Sequence, residues 1–224
     1  AEVLQEAKED AVRLAVYEQE RAGLDVVTDG EAQRPSYDRH FLRCLGGIDV
    51  SGAEPGDPGW SLSSNVMKET GYEEFLQYTN IMPKVVDDLT WSGPVAVDEL
   101  KFLRRVATRP VKANVVGPLT LSGNLIDEFY GDKEGLVLAL ASVLNQELKA
   151  LEDAGADILE IDDPGFHFDI ELTRRVGRAA IERAVEGLQT QTIVHVCYGY
   201  AFLYEKKSPS DIYPEILSLL SECP

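Results

Sequence analysis

The chain has 224 residues, 44% of them hydrophobic, and 39 acidic residues against 21 basic ones give a formal net charge of −18. We expect no nucleic-acid or membrane partner, because binding either needs clustered lysine and arginine. No apolar stretch reaches the roughly 18 residues of a membrane-spanning helix. Three cysteines and a polar, acidic N-terminus without a secretory signal indicate a reducing compartment, so we expect a cytoplasmic protein.

The chain is predicted to open with a helix and a short strand. Apolar residues recur at helical spacing over residues 2–22, and Gly23 follows them as a stop signal. The apolar run at residues 24–28 predicts a short buried strand. This strand ends at Asp29-Gly30-Glu31, so polar side chains follow its carboxyl end.

A long insertion is predicted over residues 32–97, combining an irregular loop with a hairpin. The hairpin is placed at residues 84–97, where side chains alternate and Ser92-Gly93-Pro94 supplies a turn. Long excursions after a strand are often functional loops. Asp98 is predicted to cap the helix that follows and runs through Val106.

The remainder of the chain alternates strands and helices, which indicates parallel βαβ units. Strands are predicted at residues 111–116, 157–161 and 192–197, and helices at about 119–130, 133–154, 169–187 and 210–221. Short apolar strands, each followed by a polar or Gly/Pro turn, are typical of a TIM (β/α)₈ barrel, with a doubly wound open sheet as the alternative. Because only about four barrel strands are visible, we expect residues 1–224 to form one barrel domain within a longer chain.

His195 and Cys197 are one residue apart on the last predicted strand. Strand side chains alternate between faces, so both point the same way, about 6.6 Å apart along the backbone. An imidazole and a thiolate on one face supply half of a tetrahedral zinc site, whereas a core histidine beside an inert cysteine is the alternative.

Acidic residues end two other predicted strands. Glu31 and Asp162 follow strands that a parallel barrel brings to one mouth, where their carboxylates would suit an ammonium group. Solvated turn residues or helix caps are the alternative interpretation of both acids.

Four short motifs carry a family resemblance, and they occur in the expected order. They are Asp29-Gly30-Glu31-x-x-Arg34, Gly117-Pro118-Leu119-Thr120, Ile161-Asp162-Asp163-Pro164 and His195-x-Cys197-Tyr198. Together they resemble the catalytic domain of cobalamin-independent methionine synthase, in the superfamily that also holds uroporphyrinogen decarboxylase and zinc-dependent methyltransferases. The similarity runs from about Gly23 to Cys197 and is closest to the short, single-barrel members.

The resemblance implies a zinc-dependent methyltransferase that moves a methyl group to a thiol, with homocysteine as acceptor and methionine as product. It implies His195 and Cys197 as zinc ligands and Glu31 and Asp162 as the acids that bind the amino group. The family's other ligands, a glutamate and a second cysteine, come from later strands. Assembly into a homo-oligomer is also possible for such an enzyme.

The methyl donor stays open between a folate and a corrinoid. Folate-using members have a tryptophan shortly after the Gly-Pro-x-Thr segment, whereas this chain has no aromatic residue there until Phe129. Other readings are alkyl transfer to another thiol, a metal-free decarboxylase-like barrel, or a catalytically silent binding subunit. Cys44 and Cys223 are not predicted as zinc ligands, and His167 either touches substrate or is solvated.

Overall fold

A computed structural model describes residues 2–50, 83–197 and 212–223 of the chain. The helices are α1 (Glu2–Arg21), α2 (Arg39–Leu42), α3 (Val97–Val106), α4 (Pro118–Gly123), α5 (Lys133–Asp153), α6 (Gly165–Phe168), α7 (Ile170–Leu172), α8 (Arg178–Ala184) and α9 (Tyr213–Leu220), with a π-helical turn at Thr173–Gly177. The strands are β1 (Leu45–Asp49), β2 (Lys84–Trp91), β3 (Lys112–Val116), β4 (Ile126–Asp127), β5 (Ile158–Asp162) and β6 (Gln191–His195). Residues 51–82 of the predicted insertion over 32–97, and Tyr198 of the fourth motif, lie outside these ranges.

The sheet that carries the candidate site is parallel, in the order β3-β5-β6. The α/β class is therefore confirmed, and three of the four predicted parallel strands form within about a residue or two of their expected bounds. Across the described ranges this sheet stays open and does not close into a barrel. In the same ranges, no helix is long and apolar enough to cross a membrane.

The predicted strand at residues 24–28 is reduced to one parallel bridge, between Val27 and Val111. The Val27 N–H donates to the carbonyl of Pro110 (3.0 Å), and the Lys112 N–H donates back to the Val27 carbonyl (3.0 Å). The pairing cannot extend towards residue 25, because Pro110 has no N–H to donate to the carbonyl of that residue. The segment nevertheless lies beside β3, as the barrel order requires.

The hairpin predicted within residues 84–97 is wrong. These residues hold one strand, β2, whose antiparallel partner is β1, with Leu45 opposite Trp91. The chain does not return, because the buried carboxylate of Glu147 in α5 accepts the N–H groups of Val95 (3.0 Å) and Ala96 (2.9 Å). The next helix, α3, starts after Ala96 without a side-chain cap, so the prediction that Asp98 is the cap is wrong, and Asp98 lies in the first turn.

Side chains along β5 alternate between two faces, one towards the apolar core and the other towards the candidate site. Leu159 and Ile161 are fully buried in the apolar core, which also contains Leu140 and Leu144 of α5. Leu140 and Leu144 are four residues apart, so they lie on one face of that helix. Glu160 and Asp162 therefore lie on the opposite face of β5 from the core.

The other predicted helices differ mainly at their ends. α1 ends as predicted before Gly23, which adopts a left-handed φ of +83°. The helix expected over residues 119–130 ends at Gly123, and β4 follows it. The helix expected over residues 169–187 is interrupted by the π-helical turn, where the Thr173 hydroxyl donates to the carbonyl of Phe166 (2.8 Å).

Candidate active site at the strand ends

Three of the four predicted site residues meet at the carboxyl ends of the parallel strands. Asp162 and His195 are register partners across β5 and β6, and Oδ1 of Asp162 lies 3.5 Å from Nδ1 of His195. Glu160 Oε1 is 3.8 Å from the same ring nitrogen. Glu31 is linked to these strand ends through Arg34, whose Nη1 lies 3.7 Å from the Glu31 carboxylate and whose Nη2 donates to the Asn114 carbonyl, and burial raises the pKa of Glu31 although the charge of Arg34 opposes this.

Asp162 has a hydrogen bond on one carboxylate oxygen, and the other oxygen makes only a longer contact, 3.5 Å, with Nδ1 of His195. The Tyr37 hydroxyl donates to its Oδ2 at 2.7 Å, whereas its Oδ1 is buried and accepts no hydrogen bond from the described residues. Burial raises the pKa of Asp162, although the Tyr37 hydrogen bond and the nearby His195 act in the opposite direction. A buried carboxylate oxygen without a hydrogen-bond donor is energetically costly.

Glu31 adopts a left-handed backbone with φ of +57°, which is uncommon for a residue other than glycine. Asp29 Oδ1 accepts the Glu31 N–H at 3.0 Å, and Arg34 Nη1 lies 3.7 Å from the Glu31 carboxylate. Arg34 is itself held, because its Nη2 donates to the Asn114 carbonyl at 2.6 Å and its Nε lies 3.5 Å from Glu99. Backbone strain of this kind often occurs at functional sites.

The strand β6 stops at His195, so Cys197 lies two residues beyond its end and not on the strand, where the predicted bounds of 192–197 place it. His167 Nε2 is 2.6 Å from the Cys197 carbonyl oxygen, and the Tyr213 hydroxyl donates to the neighbouring carbonyl of Val196 at 3.2 Å. Burial raises the pKa of Tyr213, and the Cys197 thiol raises it further. His167 and Tyr213 therefore hold the backbone on which the cysteine is presented.

A fully buried carboxylate ties two of the sequence motifs together. Asp163 accepts the N–H groups of Leu119 (3.0 Å) and Thr120 (2.8 Å) and the Thr120 hydroxyl (2.7 Å), and burial raises the pKa of Asp163 to about 6. The Thr120 hydroxyl oxygen also accepts the Gly165 N–H at 2.8 Å. A Cβ added at Gly117 would lie 2.3 Å from the Asp163 side chain, so only glycine fits there.

Sequence reasoning missed two residues of this cluster. Glu160 could have been found, because it lies two residues before Asp162 on a strand and must share its face. Its carboxylate accepts the Asn114 amide at 2.9 Å and pairs with Lys112. Tyr37 gave no comparable signal, since it lies in irregular chain 125 residues before its partner.

The donors at this site suit a metal only in part. Imidazole and thiolate are the ligand types of zinc sites, and His195 and Cys197 supply one of each. Within the described part of the chain, no group of three or more His, Cys, Asp or Glu side chains is arranged to hold a metal ion.

Comparison with known proteins gives a consistent match. The family model for the cobalamin-independent synthase catalytic domain matches residues 2–201. A methionine synthase of Sulfurisphaera tokodaii is 32% identical over 207 residues, which cover 90% of this chain and 55% of that protein. For a methionine synthase of Saccharolobus solfataricus, the identity is 33% over 204 residues, 90% of this chain and 56% of that protein. The chain thus spans about half the length of the curated relatives it matches.

Solved structures agree with these matches. A B12-independent methionine synthase from a Shewanella species, in complex with selenomethionine, superposes with a TM-score of 0.81 at 34% identity, covering 100% of this chain and 62% of that one. A methyltransferase from Methanosarcina mazei superposes with a TM-score of 0.58 at 18% identity, covering 96% of this chain and 60% of that one. The second likeness supports the fold alone.

Proposed function

The chain belongs to the cobalamin-independent methionine synthase catalytic-domain family, and on that basis we propose that it transfers a methyl group to the thiol of homocysteine. The observation that carries the proposal is the buried Oδ1 of Asp162, which accepts no hydrogen bond from the described residues. It lies at the same strand ends as Glu31 and His195. An amino-acid thiol bound here would have its ammonium group beside the two acids and its sulfur towards the proposed zinc ligands His195 and Cys197.

The two acids are the proposed amine-binding residues. Asp162 and Glu31 lie in a cluster where the positive charges already have partners, because Lys112 pairs with Glu160 and Arg34 with Glu31 and Glu99. Charge-assisted hydrogen bonds from an ammonium group to carboxylates are about twice as strong as neutral ones. The related Shewanella structure holds selenomethionine, an analogue of the proposed product, which supports an amino-acid ligand in this family.

His195 and Cys197 are the proposed zinc ligands of this chain. Nδ1 of His195 faces Asp162, so Nε2 is the ring nitrogen that would bind the metal. A carboxylate next to the other ring nitrogen is the usual arrangement for a ligating histidine, because it fixes the tautomer and the ring orientation. Zinc, when bound, supplies a Lewis acid that lowers the pKa of a thiol.

The chain's own residues bind and orient the acceptor. With a methylated folate as donor, the bond from the folate nitrogen to the methyl carbon breaks as the sulfur–carbon bond forms. The leaving nitrogen takes up the proton released by the thiol. Asp162 and Glu31 hold the amino group, which directs the sulfur of the acceptor towards one position at the strand ends.

We also propose that the Val27 segment, β3, β5 and β6 are four consecutive strands of a (β/α)₈ barrel. Their spatial order follows their order in the chain, and the site lies at the carboxyl ends, where barrel enzymes carry their active sites. A cytoplasmic location and small-molecule substrates fit the same proposal.

A methyl-transfer assay tests the proposed function. The reduced full chain, supplied with zinc, is incubated with homocysteine and isotope-labelled methylfolate or methylcorrinoid in separate reactions, and methionine is measured by mass spectrometry. We expect labelled methionine with one donor. Asp162→Asn should lower kcat/KM for homocysteine about 10- to 100-fold, because a hydrogen bond to a charged group is lost.

The matched control is Asp98→Asn, since the Asp98 side chain is 98% exposed on α3 and its ion-pair partner, Lys101, lies on the same helix. This variant should have the same kcat/KM for homocysteine as the wild type. The absence of methionine with both donors would contradict the proposed function, as would full activity in Asp162→Asn.

A further inference from the structure

We propose that Tyr37 is a positioning residue that aims Asp162 at the amino group of the acceptor. This inference rests on the proposed function and deepens it by naming the group that sets amine recognition. The Tyr37 hydroxyl donates to Oδ2 of Asp162 at 2.7 Å. With Oδ2 held by Tyr37, Oδ1 faces Nδ1 of His195 at 3.5 Å and is the oxygen left to accept a hydrogen bond from a ligand.

The hydroxyl of Tyr37 can act only as a donor to this carboxylate. Burial raises the pKa of Tyr37 far above its usual range, and the charge of Asp162 raises it further. The phenol therefore keeps its proton, and the hydrogen bond has one direction. A hydrogen bond to an ionised carboxylate is stronger than a neutral one, and the 2.7 Å distance is a well-formed O–H···O hydrogen bond.

The chain next to Tyr37 is held in place by hydrogen bonds of Asp38, so the backbone position from which the Tyr37 ring extends is fixed. Asp38 is buried and caps α2 by accepting the N–H of Arg39 at 2.8 Å. Its other oxygen accepts the side-chain amide of Asn124 at 2.8 Å, which ties this loop to the end of α4. Tyr37 itself packs half-buried against the apolar core. Its position is therefore set by the fold as well as by its contact with Asp162.

Glu160 and Asp162, the two acids on this face of β5, differ in how many of their carboxylate oxygens have a hydrogen-bond or ion-pair partner. Glu160 is satisfied on both oxygens, because it accepts the Asn114 amide at 2.9 Å and pairs with Lys112. Asp162 has Tyr37 on one oxygen, whereas its other oxygen accepts no hydrogen bond from the described part of the chain. Tyr37 thus decides which oxygen of Asp162 is left for an ammonium group.

Ligand pairs that differ only in the amino group test this role directly. L-Methionine, the proposed product, and 4-(methylthio)butanoate, which lacks the amino group, are titrated into the zinc-loaded full chain by calorimetry. We expect the wild type to bind methionine at least about 10-fold more tightly. Tyr37→Phe should reduce that preference about 10-fold by weakening methionine alone, since one charge-assisted hydrogen bond is removed.

Tyr130→Phe is the matched control, because its hydroxyl donates to Asp88 at 2.7 Å on β2 and does not contact Asp162. It should leave the preference unchanged. In the transfer assay, Tyr37→Phe should raise KM for homocysteine and leave kcat within about two-fold. Equal weakening of both ligands by Tyr37→Phe would show a merely structural role and overturn the inference, as would an unchanged preference.

The two proposals fail separately. A wild type that makes no methionine, yet keeps a Tyr37-dependent preference for the amino group, would overturn methyl transfer and leave the role of Tyr37 standing. If the wild type makes methionine but Tyr37→Phe leaves the preference for methionine over 4-(methylthio)butanoate unchanged, the inference is overturned and the proposed function stands.

Discussion

Asp162 and His195 are register partners on neighbouring parallel strands, with Oδ1 of the acid 3.5 Å from Nδ1 of the imidazole. This contact joins the proposed amine-binding acid to the proposed metal-binding ring. The Asp163 N–H also donates to the His195 carbonyl at 2.8 Å, so the ends of β5 and β6 are fixed to each other by backbone as well. The position of each half of the site therefore depends on the other.

Gly117 should tolerate no side chain. Gly117→Ala places a methyl group 2.3 Å from the Asp163 side chain, so we expect a loss of about 1–3 kcal/mol in the free energy of unfolding. Urea denaturation followed by circular dichroism measures this. Gly123→Ala is the control, because an added Cβ there meets no heavy atom within 4 Å. Equal stabilities for the two variants would contradict the packing argument.

His167 should support the zinc affinity of Cys197 through the backbone. His167→Ala removes the group 2.6 Å from the Cys197 carbonyl, so the proposed ligand is held less firmly. We expect the zinc dissociation constant to rise about 10-fold, the lower end of the range for partners of metal ligands. Competition with a chromogenic chelator measures it. His167→Gln, whose amide can still donate, should recover most of the affinity, and a wild-type constant in His167→Ala would refute the anchor.

Glu152 should make stability depend on pH through the turn that leads into β6. Its carboxylate accepts the N–H groups of Thr190 (2.6 Å) and Gln189 (2.7 Å), and the Thr190 bond is the main cause of a lowered pKa for Glu152. Because the folded pKa lies below the unfolded one, this stabilisation is present above pH 4.5 and is lost as the pH falls through the folded pKa.

Glu152→Gln should therefore be less stable than the wild type at pH 7, by less than about 1 kcal/mol because the carboxylate is only partly buried. The difference should shrink as the pH falls below 4.5 and through the lowered pKa of Glu152. Thermal unfolding across this pH range measures it. A difference that grows as the pH falls would have the wrong sign for a lowered pKa.

The strand ends were predictable because the parallel arrangement follows from local patterns. Short apolar runs followed by polar turns located β3, β5 and β6, and this ordering brought Glu31, Asp162 and His195 to one edge. The segment at residues 24–28 had the same pattern, but its pairing was limited by Pro110, a residue more than 80 positions later. Local periodicity carries no information about such a partner.

The wrong hairpin prediction and the failure to find Tyr37 have the same cause, which is a contact with a distant part of the sequence. Ser92-Gly93-Pro94 has the composition of a hairpin turn, yet Glu147 of α5 accepts the N–H groups of Val95 and Ala96, and the chain continues into α3. Tyr37 reaches Asp162 across 125 residues of sequence from a loop without periodicity. Both contacts are set by tertiary packing, so they become visible only in the folded chain.

The zinc content of the purified, reduced chain and two cysteine variants tests the central claim most directly. Cys197 lies beside the strand ends, whereas Cys223 follows α9, and its thiol contacts the Leu219 carbonyl. By plasma mass spectrometry, after equilibration with zinc and removal of the excess, we predict zinc bound to the wild type and to Cys223→Ser, and at least a 10-fold lower content in Cys197→Ser. Zinc that is absent from the wild type, or retained equally by Cys197→Ser, would contradict the account.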